Sequence, residues 1–376
     1  MTPSLPTIAA PPTPSIYDTA AVDRARRELR LEPGLIRRLR IGLLKHSLPP
    51  IDSLQAIPAE LRRSFVDRIA LSALTLADRF DSQVDGATKL IFRTAAGYSI
   101  ESVVLRADTG RTALCLSSQV GCAAKCDFCA TGRMGVARDL SAAEILDQVT
   151  QANRLLTAEE RRVRNLVLMG MGEPLHNPRA VSEALDTLIA ADGFHHPPSR
   201  ILLSTVGVIE PLVQIAQRFP KVNYAISLHA ADQATRERII PLATRHPLDD
   251  LRNAVKQLNA IQGSRATVML EYLMLDGINA SLTDADRLAD WCRGLRVHIN
   301  LIPYNPVEDA PHLVGADRPT IERFGARLKQ AGLPTTIRYS MGRDVDAACG
   351  QLVRRENRAL AKTEATGRVG PTARKS

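Results

Sequence analysis

Cys122-Ala-Ala-Lys-Cys126-Asp-Phe-Cys129 sets three thiols close together in sequence, and three thiolates at that spacing can hold an iron–sulfur cluster that leaves one iron without a protein ligand. An open metal position invites chemistry. Fully ligated clusters use four cysteines, and structural zinc sites likewise close their fourth position. No fourth thiol lies in this loop, since the next cysteine downstream is Cys292. Spacing alone leaves two other readings open: a zinc site completed by a distant His or Asp, and three ordinary thiols.

The elements that would position this loop are legible further along. From about residue 111 the pattern runs strand, loop, helix, repeatedly. Apolar strand candidates are Thr112 to Leu116, Asn165 to Met169, Ile201 to Ser204, Val222 to Ser227, Thr267 to Leu273, Val297 to Ile302 and Thr335 to Ile337. Helical patterns fall between them at Ala142 to Leu156, Ala180 to Ala191, Pro211 to Phe219, Leu248 to Ile261, Thr283 to Leu295 and Thr320 to Ala331. Such interleaving predicts an α/β fold whose parallel sheet winds as a partial (β/α)6-type barrel. Ligands in these sheets bind at the carboxyl ends of strands. Cys122 to Cys129 follows the first strand and Gly170-Met-Gly172-Glu173-Pro-Leu the second. Ser204-Thr205 ends the third, Ser227-Leu228-His229 the fourth, and Pro303-Tyr-Asn305-Pro the sixth. Singly these are weak: Gly170 and Gly172 could only make a turn, His229 could be a satisfied core histidine, and Asn305-Pro306 could begin a turn. Gathered on one rim they favour a site.

Upstream, the first 15 residues hold five prolines and read as a disordered lead. Residues 16–95 read as a small helical accessory domain, with apolar periodicity at Thr19 to Leu31 and Ala59 to Phe80, closed by hairpin strands at Lys89 to Phe92 and Ser99 to Leu105. Residues 96–350 form the expected catalytic domain, and 351–376 a basic tail.

The net charge of +9 is unevenly spread: Arg24 to Lys45 holds eight Lys/Arg against two Glu, and Gln351 to Ser376 holds seven against two. Two basic flanks beside a neutral body suit a polyanion such as RNA held through its phosphates. A pair of solvated basic segments would give the same pattern. No apolar run is long enough to span a membrane, the start lacks the regions of a signal peptide, and the cysteines bunch between Cys115 and Cys129 rather than spreading as a secreted disulfide framework does. A cytoplasmic location is expected, with reduced thiols and no membrane partner.

The motifs resemble a known family. Cys122-x3-Cys126-x2-Cys129, with Phe128 before the last cysteine, is similar to the signature of radical S-adenosylmethionine (SAM) enzymes. Cys115-Leu-Ser-Ser-Gln-Val-Gly-Cys122, Gly170-Met-Gly-Glu-Pro-Leu175, Ser227-Leu-His229 and Asp344-Val-Asp-Ala-Ala-Cys349-Gly-Gln-Leu352 resemble the RlmN/Cfr group of adenosine methyltransferases. The likeness runs from about Glu101 to Leu352. The N-terminal segment matches loosely and lacks a Lys-Pro-x-Arg-type stretch.

The resemblance implies a radical SAM barrel carrying a [4Fe-4S] cluster on Cys122, Cys126 and Cys129, and two SAM molecules per turnover. It implies that the Cys349 thiolate takes a methyl group from one SAM. The second SAM is cleaved to a 5′-deoxyadenosyl radical, which removes hydrogen from the S-methyl group so that the carbon adds to C2 of an adenine. Attack by Cys115 on Cys349 then frees the methylated RNA with a transient disulfide, while Glu101 accepts a proton. On sequence alone Glu101 could equally be a surface residue of a hairpin strand. Gly172, Glu173, Ser204, Ser227, Leu228, His229 and Asn305 would contact SAM, and Asp344 and Asp346 would raise the Cys349 thiol pKa if they lie on its side. Cys292, beside Trp291, reads as a buried core thiol.

The implied substrate is 23S rRNA, with tRNA as a second target, at a loop adenosine that leaves its stack; flavodoxin or ferredoxin would donate electrons. Two other activities compete. Met341-Gly342-Arg343-Asp344 departs from the C2 pattern and suggests the C8-methylating variant. A noncatalytic iron–sulfur or zinc RNA-binding protein would need neither Cys115 nor Cys349.

Overall fold

The structure is a computed structural model that describes residues 13–264, 266–352 and 357. Residues 1–12 of the expected disordered lead and almost all of the basic tail lie outside the described residues. The end of that lead departs from expectation: Ala70 N donates to Pro14 O at 2.8 Å and Ile16 N donates to Ala70 O at 2.8 Å, so residues 14–16 are stitched to the segment before the first strand.

Among the described residues twelve strands form two sheets. The large one runs β1 (Leu74–Asp81), β2 (Ala87–Thr94), β3 (Ser99–Arg106), β4 (Thr112–Cys115), β7 (Asn165–Leu168), β8 (Ile201–Thr205), β9 (Asn223–Ser227), β10 (Val268–Met274), β11 (Val297–Pro303) and β12 (Thr335–Ile337). A two-stranded ribbon pairs β5 (Gln119–Gly121) with β6 (Val136–Asp139). β1 to β4 pair antiparallel, whereas β4 to β12 within the large sheet pair parallel. The parallel run with its intervening helices is a partial barrel, open between its two edges.

Side-chain alternation explains why this run is both stable and functional. Leu166, Leu168, Ile201, Leu203, Tyr224, Ile226, Leu270, Tyr272, Ile299 and Leu301 are all buried in the main core. Tyr272 meets Phe324 of the helix Arg318–Gln330 with ring centroids 5.2 Å apart, which marks this set as the helix-facing one. Each fully buried Leu or Ile contributes roughly 1.5–3 kcal/mol. The alternate residues face inward, and there the strands turn polar: Ser227, Glu271, Asn300 and Thr336 stand in one register across β9 to β12. Apolar packing outside thus frees the inner face for ligands.

Residues 59–80, expected as one helix, divide into the helix Ala59–Val66 and strand β1. Apart from Leu74 every residue of β1 is exposed, so no alternating burial marks it as a strand. The helical segment docks through Asp147 of the helix Ala142–Thr157. This fully buried carboxylate accepts hydrogen bonds from Tyr17 Oη (2.8 Å), Ser72 Oγ (2.8 Å), Ala73 N (2.9 Å), Leu74 N (2.9 Å) and Gln151 Nε2 (2.9 Å).

Candidate active site

The cysteine loop leaves the β5–β6 ribbon and closes against the turn Gly170 to Leu175. Gly172 adopts φ +109°, and a Cβ there would come within 2.8 Å of Gln119 N, so the turn can approach residues 118–119 only as glycine. Gln119 Oε1 in return accepts Glu173 N at 2.8 Å. Cys122, Cys126 and Cys129 ring one end of a cavity whose wall continues through Gly172, Glu173, Ser204, Ser227, His229, Leu273 and Tyr304. Burial pushes all three thiols up, and each has a neighbouring sulfur that pushes in the same direction. Among the described residues no three His, Cys, Asp or Glu side chains close around one point as the ligands of a single ion would. Three soft sulfurs on one loop are the donor set that an iron–sulfur cluster takes, and the thiols present fit that group by their chemistry.

A second cavity adjoins the first, sharing Cys129, Met169, Gly170, Cys349 and Gly350. Cys115, at the end of β4, and Cys349, beyond β12, both line it. All six cysteines are unpaired, so no permanent bridge joins these two. Burial, and after it the nearby Cys349, push the Cys115 thiol up to about 12.

Three elements hold the Cys349 loop. Asp344 accepts from Ser82 Oγ and Gln83 N, both at 2.8 Å, on the β1–β2 turn. Asn305 Nδ2 donates to Cys349 O at 3.1 Å, and Ala130 N, just after Cys129, donates to Gly350 O at 2.8 Å. Asp344 therefore spends its charge on the hairpin, which holds its carboxyl below the usual range. Arg338 lies within charge range of Cys349, Glu271 and Cys115, and these neighbours, Cys349 foremost, raise its pKa.

Several sequence-predicted residues gather on the first cavity. Glu173 is buried, with its oxygens accepting Leu175 N (3.0 Å) and Val206 N (2.9 Å); desolvation outweighs these bonds and pushes it up to about 7. Ser204 and Ser227 contribute wall hydroxyls. Leu228 is fully buried and its carbonyl accepts Arg236 Nε at 3.2 Å. His229, at φ +57°, packs edge-on against Phe128 with centroids 4.8 Å apart, and its Nδ1 accepts Leu273 N at 3.0 Å. Desolvation, with Arg236 adding to it, depresses it to about 3, so it is a neutral wall residue. Asn305 is placed differently: its amide donates to Ser340 Oγ and Cys349 O while its carbonyl accepts Arg343 Nε at 2.9 Å. Its polar atoms hold the Cys349 loop. Glu101 is buried on β3 rather than exposed, on the same strand face as Val103, which pairs with Cys115.

Residues 116–292 match the radical SAM superfamily. A probable dual-specificity RNA methyltransferase RlmN of Thermus thermophilus is 42% identical to this chain over 84% of it and 87% of its own length. The chain belongs to the RlmN family of radical SAM enzymes. A probable RNA methyltransferase of Rhodopirellula baltica is 51% identical over 94% of this chain and 91% of its own. A solved radical SAM methyltransferase from Sphaerobacter thermophilus superposes with a TM-score of 0.85 at 35% identity, covering 90% of this chain and 99% of that one.

An RlmN-family site therefore contains groups that the motifs did not single out. Arg338 follows β12 without any local signature. Arg236 is fully buried and clamps two strand-end loops, through Val206 O and Leu228 O, to the link between two helices at His246 O; a lone Arg in a helix gives no hint of that. Glu271 stands mid-strand in β10, where an acid inside an apolar run was the one available signal.

Proposed function

We propose that this chain is an RNA methyltransferase that methylates C2 of an adenosine in 23S rRNA, with tRNA as a second substrate, through an S-methylcysteine at Cys349. The observation that carries the reading is the pair of thiols, Cys115 and Cys349, in a cavity that opens onto the cavity of the three-cysteine loop. A binding module needs no such pair.

When bound, the cluster and SAM supply a sulfonium methyl donor and one-electron chemistry able to take hydrogen from an unactivated carbon. Cys122, Cys126 and Cys129 hold the cluster, and the Glu173 carboxylate with the Gly172 turn receives the amino group of SAM. Ser204, Ser227 and His229, with Leu228 between the last two, seat the remainder. Cys349, the exposed thiol, accepts the methyl group by displacement and carries the carbon to the adenine. Arg338 lies within charge range of that thiol. Glu101 takes the ring proton, and Cys115 attacks Cys349 to release the RNA and leave a transient disulfide, which a reductant reopens. Two SAM molecules are spent per turnover, and flavodoxin or ferredoxin supplies electrons in the cytoplasm.

The flipped adenosine must enter beside Cys349, where the cavity rim carries Arg338 and Arg111. With aromatic residues at 4% of the chain, stacking platforms are few and phosphate contacts dominate binding. Anaerobic reconstitution with SAM, reductant and a 23S rRNA fragment, followed by nucleoside analysis, should yield 2-methyladenosine. Formation of 8-methyladenosine would transfer the chain to the C8 activity suggested by Met341 to Asp344, and unmodified RNA alone would refute the reading.

A further inference from the structure

Glu271 is the one carboxylate of the first cavity to which the reading above gives no work. It stands in β10 between Ser227 of β9 and Asn300 of β11, in register with both. Its backbone carbonyl accepts Leu228 N at 3.1 Å and His229 N at 3.3 Å, which ties it to the turn that shapes the cavity wall. The side chain is 2% exposed and lines the same cavity as Cys122, Glu173 and Ser204. One oxygen accepts Asn300 Nδ2 at 2.8 Å, and Asn300 Oδ1 accepts Thr336 Oγ1 at 3.2 Å, so its outer side is braced by two further strands. The other oxygen is buried without a partner among the described residues. A carboxylate oxygen withdrawn from water and given no donor costs free energy unless a ligand supplies one.

The order of strands identifies that donor. The cysteine loop follows β4, Glu173 follows β7, Ser204 ends β8 and Ser227 ends β9, with Glu271 on the next strand round. A ligand whose amino acid end lies at the cysteines and at Glu173 extends its nucleoside along this wall to β9 and β10. A bare acceptor beside the Ser227 hydroxyl suits a vicinal diol, which offers two neutral donors. The edge of adenine alternates donor and acceptor, and an acceptor alone would leave half of it unmatched.

We propose that Glu271 accepts a hydrogen bond from a ribose hydroxyl of SAM and so positions the sugar against the inner wall of the barrel. This rests on the reading of the first cavity as the SAM site. The test is equilibrium binding to the cluster-loaded protein of S-adenosylhomocysteine, its 2′-deoxy and 3′-deoxy derivatives, and the derivative lacking the 6-amino group. Wild type should bind the parent about tenfold more tightly than one of the two deoxy ligands, as the loss of a hydrogen bond to a charged group requires. Glu271→Met should weaken the parent by a similar factor and leave that deoxy ligand unchanged. Equal weakening of every ligand by Glu271→Met would overturn the proposal, as would sensitivity confined to the ligand without the 6-amino group. Wild type alone also decides it: indifference to both deoxy changes refutes the contact whether or not the variant folds. Failure of wild type to bind any of the four would refute the SAM assignment of the cavity and the proposal with it.

Discussion

At the residue scale the proposed chemistry turns on two sulfurs with different surroundings. Cys349 is exposed at the cavity mouth, whereas Cys115 sits at a strand end with its thiol pushed up to about 12 by burial and by the nearby sulfur. In the proposed cycle such a protonated thiol leaves the first methyl group to Cys349, and it must give up its proton before it can attack. Cys115→Ala should therefore accumulate protein covalently joined to RNA through Cys349, visible as a shifted band after denaturing electrophoresis; free RNA with no adduct would remove Cys115 from the resolving role. The cysteines were legible in the sequence because their spacing is itself the signal. Glu271, Arg338 and the actual bonding of Asn305 were not, because each depends on partners brought from other strands. Asn305 reads as a residue of a ligand-binding loop end, yet its amide meets Ser340 and Cys349, which are distant in sequence.

At the element scale, the loop bearing Cys349 is a short irregular segment fastened at three points. The hairpin β1–β2, an appendage to the barrel in sequence, supplies one of them through Asp344. Asp344→Ala should lower methylation turnover on the order of tenfold by loosening the geometry of Cys349, with the thermal midpoint of the protein nearly unchanged because the bond lies at the surface. A midpoint that falls together with activity would show a folding role for this contact. The parallel strands were readable from apolar runs bounded by turn residues, and their ends fall within one or two residues of expectation. β1 was not readable: Leu71, Leu74 and the alanine and phenylalanine beyond them recur at helical spacing, while the exposed edge strand they form shows no alternation to correct that impression.

At the scale of the whole molecule, a buried carboxylate adds a polar anchor where the N-terminal helices share the barrel's apolar core. Asp147 satisfies donors from residues 17, 72, 73, 74 and 151 together, and Asp147→Ala would strand all of them. The variant should lose about 3 kcal/mol in urea unfolding and become open to proteolysis near Ser72. Wild-type stability would show that Asp147 fastens nothing.

Acid should act at the opposite face of the barrel. Burial, with Arg200 and Arg162 adding to it, depresses His196 to about 4 from the usual 6.5. Because the folded protein binds this proton less readily than the unfolded chain, stability is complete above pH 6.5 and falls as pH drops toward 4, by about 3 kcal/mol at most. His196→Leu should flatten that part of the pH–stability curve, and an unchanged slope would contradict the depression.

The carbon shuttle is the claim on which the rest depends. It is tested most directly by peptide mass spectrometry of the cluster-loaded protein after incubation with SAM and reductant but no RNA. The account predicts a peptide containing Cys349 heavier by one methyl group and a Cys115 peptide that is unchanged. Unmodified Cys349, with a methyl group on another cysteine or on none, would contradict it.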